Sequence, residues 1–182
     1  MKTMYQRIFL LTLVAFLLPV AAIAQSSPAY VRQALPEATL VGQGLYRWFG
    51  LSIYKARLWG DKTKVTATGW ASNSFALELE YTRTLYGEKI AIASIDEIKK
   101  LGIGTNAQHD QWLTDMKKIF PNVEEGYQLT GVFSPGQPSR FFLNGKSIGD
   151  ITDPEFGPAF FGIWLHPKTS APKLRQLLLS TK

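Results

Sequence analysis

The sequence predicts an α+β domain, and three observations carry that prediction. Stretches that alternate apolar and polar residues stand before and after a helical pair, not interleaved with it. The clearest of them, FALELEY at 75–81, turns Phe75, Leu77, Leu79 and Tyr81 one way and Glu78 and Glu80 the other. That is a strand of an antiparallel sheet with one buried face. The chain then closes on an aromatic and leucine-rich stretch with helical spacing, FGPAFFGIWLHPKTSAPKLRQLLLS at 156–180. Strands and helices segregated in this way build an α+β fold.

Taken in order, residues 25–37 read as a loose leader. A strand-like pattern runs from Ala38 to Trp59, interrupted at Gly42, Gly44 and Gly50. Within it LSIYKARLW at 51–59 places Leu51, Ile53, Lys55, Arg57 and Trp59 on one face, and Ser52, Tyr54, Ala56 and Leu58 on the other. After FALELEY the period changes. Residues 87–102 carry Ala91, Ile95, Ile98 and Leu101 on one helical face, and Gly102 stands where a helix stops. A second helix follows over 106–121, with Asn106 as its expected N-cap and Pro121 as its end. Its polar face mixes Asp110, Asp115, Lys117 and Lys118, the pattern of a helix packed on a core and not of one laid on a lipid surface.

Strands return at 127–133 and 139–143, and Asn144-Gly145 marks a type I′ hairpin, because both residues accept positive φ. KSIGDI then pairs back. In the closing stretch Phe156, Phe160, Ile163 and Trp164 fall at i, i+4, i+7 and i+8, and Phe161 and Leu165 make the segment apolar nearly all round. Such a helix is buried. Pro158 is awkward so near its start, which places the regular part from about Gly157. Pro172 opens a last short helix with Leu174, Leu177 and Leu178 packing back.

Composition bounds the function. Lys2 and Arg7 precede the apolar run IFLLTLVAFLLPVAAI, and Ala22-Ile23-Ala24 supplies small residues where a signal peptidase cuts. This is the pattern of a secretory signal over 1–24, predicting a periplasmic or secreted domain over 38–182 with no membrane span once the signal is removed. Loss of Lys2 and Arg7 leaves 18 basic against 14 acidic residues and lowers the net charge from +6 to +4. The remaining cations are scattered singly, which excludes a nucleic-acid stripe and leaves a mild attraction to anionic lipid or an acidic ligand. The chain has no cysteine, which rules out thiol catalysis and disulfides. Its two histidines, His109 and His166, are too far apart in sequence to suggest a metal site. No phosphate-binding loop, nucleophile elbow or cofactor motif is present.

Four stretches give the chain a resemblance to the chalcone isomerase-like family, in its bacterial exported branch. They are GLYRWFGLSIYKARLWG (44–60), YTRTLYGEKI (81–90), FLNGKSIGDI (142–151) and the closing FGPAFFGIWLHPKTSAPKLRQLLLS. The resemblance implies an open-faced β-sandwich, a curved antiparallel sheet covered by helices on one face with a cleft between them. It also implies one of two roles: closure of a flavanone ring without a cofactor, or fatty-acid binding without catalysis. The isomerase site uses an arginine to hold a phenolate, with threonine and tyrosine hydroxyls on the ketone. Here Arg47 is the nearest arginine, while Tyr54 and Ile163 stand where that pattern has threonines. The expectation is therefore a domain that binds a small apolar acid or fatty acid, with Tyr54, Arg57, Tyr81, Arg83, Phe160 and Trp164 as candidate lining. A cofactor-free isomerase or lyase using Arg47 and Tyr54 is the second reading. An envelope module that docks a protein partner and takes no small ligand is the third.

Overall fold

The computed structural model describes residues 26–180; the secretory signal expected over 1–24 lies outside the described residues. Six strands form one antiparallel sheet in simple chain order: β1 (Thr39–Trp48), β2 (Leu51–Gly60), β3 (Phe75–Tyr81), β4 (Gln128–Phe133), β5 (Ser139–Leu143) and β6 (Lys146–Ile151). A short helix, α1 (Ala29–Ala34), precedes the sheet, and α2 (Gly87–Leu101) and α3 (Asn106–Ile119) fill the β3–β4 connection. The chain ends in α4 (Phe156–Leu165) and α5 (Pro172–Leu178). The sheet is open and the class is α+β, as the alternation and the segregated helices required.

The main core lies between α2–α5 and the face of the sheet that carries Ala56, Leu58, Phe75, Leu77, Leu79, Leu129, Phe133 and Phe141. At Asn144-Gly145 the backbone takes φ of 48° and 80°, the expected type I′ turn. Gly102 ends α2 in the left-handed region at φ 72°. Two boundaries differ from the sequence expectation. Thr105, not Asn106, caps α3: its hydroxyl accepts from the Gln108 amide while the Gln108 side chain returns a bond to the Thr105 amide. That reciprocal capping box satisfies two donors, where Asn106 would satisfy one. And α4 begins at Phe156 despite Pro158, because the first-turn amides of a helix have no intrahelical acceptor to lose.

The other face of the sheet is covered too. Residues 29–34, expected within a loose leader, form α1, and Val31 packs there with Ala38, Trp59, Ala76 and Val132. Beside this patch Arg57 reaches across the sheet to Glu78 at 2.5 Å and Glu80 at 2.6 Å. The Tyr30 hydroxyl donates to Glu78 at 3.1 Å and lies 2.9 Å from the Thr130 hydroxyl. Glu78 is only 2% exposed, so its charge is tolerated because Arg57 and Tyr30 satisfy it. Truncating Arg57 to alanine should cost about 3–5 kcal/mol by stranding that carboxylate. Thermal unfolding would show this as a fall in Tm on the order of 10 °C; a change of only a degree or two would contradict a buried pair.

Candidate functional site

Strand register lines up three tyrosines on the helix-facing side of the sheet. Tyr46 in β1 pairs directly with Tyr54 in β2, which pairs with Tyr81 in β3. The Tyr46 and Tyr54 rings stack at 5.0 Å, and Tyr54 meets Tyr81 edge-on at 5.9 Å. From above, α4 lowers Trp164 onto the row, and its indole N–H donates to the Tyr54 hydroxyl at 2.9 Å. Phe160 stands one turn earlier, 5.4 Å from Trp164. Of the residues singled out from the sequence, Tyr54, Tyr81, Phe160 and Trp164 are thus brought together.

The arginines are not part of that cluster. Arg57 lies on the opposite face, engaged by Glu78 and Glu80. Arg83 is exposed just past β3, next to Thr82, whose amide bonds the Ile53 carbonyl. Arg47 owes its position to a slip in register: Tyr46 faces Tyr54, but Arg47 faces Ser52, leaving Ile53 as an extra residue in β2. Such a bulge re-aims the neighbouring side chain. Arg47 consequently lines a groove together with Tyr46.

That groove has one wall from residues 45–49 of the β1–β2 hairpin and another from residues 170–174 at the start of α5, and its volume is about 670 Å³. The groove is open along its length to solvent, unlike an enclosed ligand cavity. Leu45, Trp48, Phe49, Pro172 and Leu174 supply apolar surface, and Arg47 and Lys173 supply the cations. The approach of α5 that forms the second wall depends on small residues in β1. A Cβ on Gly42 would stand 2.2 Å from the Leu177 carbonyl oxygen, and one on Gly44 would stand 2.7 Å from the Leu174 side chain. In the sequence these glycines read as interruptions of a strand, whereas they are the docking track of α5.

Burial sets the chemistry of the tyrosine row. Loss of water pushes the phenols of Tyr54 and Tyr81 well above their ordinary value; the Trp164 bond offsets part of this at Tyr54. Tyr46 is raised as well, by burial and then by the charge of Glu97. At neutral pH these groups are hydrogen-bond donors and acceptors, not bases. The Tyr54 oxygen accepts from Trp164, and among the described residues its own proton meets no acceptor. The ring-closing arrangement would need an arginine and a tyrosine converging on one substrate. The pair named from the sequence for that role does not converge: Arg47 lines the groove, while Tyr54 lies under Trp164 outside it.

Comparison with known proteins agrees with this architecture. The chain belongs to the chalcone isomerase-like family, whose profile matches residues 25–180. A protein of Haemophilus influenzae described only as uncharacterized is 28% identical over 143 residues, covering 78% of this chain and 68% of its own length. A fatty-acid binding protein of Arabidopsis thaliana shares the fold with a TM-score of 0.61 at 14% identity, over 78% of this chain and 86% of that one.

The raised phenols give a pH dependence of known sign. Above pH 10 the unfolded chain releases phenol protons that the folded chain retains, so the unfolded state binds fewer protons and stability falls as pH rises. Each such tyrosine contributes up to about 1.4 kcal/mol per pH unit in that window. Tm should therefore drop above pH 10, and Tyr54→Phe should flatten the drop. An equally steep decline in the variant would contradict the assignment.

Proposed function

We propose that this domain is an exported, non-catalytic carrier of a small apolar acid, a fatty acid being the simplest candidate. The observation that carries the reading is the groove between the β1–β2 hairpin and α5, lined by apolar residues together with Arg47 and Lys173. A carboxylate suits these cations because charge-assisted hydrogen bonds to guanidinium and ammonium are the strong ones. An alkyl chain suits the walls because apolar area removed from water stabilises at about 25 cal/mol per Å². Leu45, Trp48 and Phe49, the exposed apolar residues of the groove, supply that area. The fold shared with a fatty-acid binding protein supports the same ligand class. The cleft expected between sheet and helices is filled at Tyr81, Phe160 and Trp164, which are buried there, so the acid is placed in the groove beside α5 instead.

Calorimetric titration with dodecanoate and with dodecanol tests the proposal. The acid should bind at least tenfold more tightly than the alcohol, and Arg47→Ala should remove most of that difference. Equal affinity for the two amphiphiles, or no heat with either, would rule the carboxylate site out. Native mass spectrometry of chain purified gently from an expressing host should show an adduct that dissociates on denaturation.

A further inference from the structure

The β1–β2 turn is built in a way that folding does not explain. Phe49 is 87% exposed and holds φ at 45°, followed by Gly50 at 80°. Two positive φ values make a type I′ turn, where asparagine and glycine are at ease and a bulky aromatic is an outlier. Trp48 beside it is 58% exposed, Leu51 is 52% exposed, and the two aromatic rings meet edge-on at 4.8 Å. A strained, water-facing aromatic adds nothing to the core, and strain kept at such a place points to a task outside the folded monomer.

We infer that this hairpin tip docks the domain on a bilayer surface carrying anionic headgroups. Tryptophan and phenylalanine favour the headgroup boundary, where an amphipathic or apolar ring leaves water without entering the acyl core fully. The cations around the tip match such a surface. Arg47 and Lys173 flank the aromatics across the groove, and Arg83 follows the Thr82 amide that bonds Ile53. Among the described residues, none of these three is held in an ion pair. One acid stands close by: Glu97 on α2 accepts from Lys100 at 2.7 Å and from the groove residue Ser170 at 2.5 Å, so its charge is partly offset. The exposed area fits a membrane better than a protein partner. With an aromatic side chain taken as about 200 Å², the exposed fractions of Trp48 and Phe49 leave roughly 300 Å² at the tip, well under half of what one partner contributes to a standard protein interface. Because Trp48 and Phe49 also wall the groove, docking would hold the groove mouth against the lipid. The inference stands on the hairpin and does not require the ligand reading.

Vesicle flotation tests it, with purified chain whose N-terminus is read by intact mass and with Phe49→Asn and Trp48→Thr/Phe49→Asn variants prepared alike. The vesicles are a phosphatidylglycerol–phosphatidylcholine mixture, and phosphatidylcholine alone, both free of fatty acid. The parent should float with the mixed vesicles and at least tenfold less with the neutral ones. The double variant should lose at least tenfold of the mixed-vesicle binding. Phe49→Asn should unfold at the same or a higher temperature, since Asn-Gly suits the turn, so weaker binding there cannot be blamed on misfolding. No flotation of the parent, equal flotation of the double variant, or equal flotation with neutral vesicles would overturn the inference. So would self-association that the double variant abolishes, in the absence of vesicle binding, since the tip would then meet a second copy of the chain.

Discussion

The helix side of this protein depends on one constraint: α4 must lie flat on the sheet with almost no side chain in water. Phe156, Phe160, Phe161, Ile163, Trp164 and Leu165 are all buried, and the sheet makes room for them at chosen positions. Phe161 sits over Gly131, where a Cβ would stand 2.8 Å from the ring. In return Gly157 admits Phe133, whose ring would lie 2.7 Å from a Cβ there. Cores packed this closely do not deform continuously. The seat of α4 therefore fixes the course of the chain beyond it. Thr169 is tied to the Ile163 carbonyl, and Arg175 bonds the Leu165 and Ala67 carbonyls at 2.7 and 2.9 Å. These ties set α5 on the glycine track of β1, and α5 in turn makes the second wall of the groove.

The two faces of the sheet divide the polar work between them. On the α1 face, Arg57, Glu78, Glu80, Tyr30 and Thr130 form a network in which the buried Glu78 charge is met by Arg57 and Tyr30. On the helix face, the polar groups are phenols and an indole, which need no counter-ion when buried. At the β1–β2 end of the sheet, Arg47 and Lys173 share a groove with exposed aromatic surface, and among the described residues neither is held in an ion pair. An apolar acid and an anionic bilayer both present carboxylate or phosphate charge beside hydrocarbon, so one end of the molecule suits both.

Much of the fold was legible because it is written in local periods. The spacing of Phe156, Phe160, Ile163 and Trp164 placed α4, alternation in FALELEY placed β3, and Asn144-Gly145 placed the β5–β6 turn. What the sequence withheld was long-range. A helix of six residues such as α1 has too few positions to show a period, and its anchor, Val31, is buried by residues far along the chain. Arg57 reads as a free cation until the register sets it opposite Glu78. The tyrosine row exists only because Tyr46, Tyr54 and Tyr81 are register mates, and one bulged residue, Ile53, decides that Arg47 turns to the groove. Site residues on single strands were thus nameable from sequence, but which of them meet was not.

The central claim is that an apolar acid lies in the hairpin–α5 groove with its carboxylate at Arg47. The most direct measurement is a crystal structure of the chain with dodecanoate brominated at its far end, located by the bromine's anomalous signal. The account predicts bromine over Trp48, Phe49 or Leu174 and the carboxylate within hydrogen-bond distance of the Arg47 guanidinium. Bromine found beneath α4, beside Tyr81 and Phe160, would contradict it.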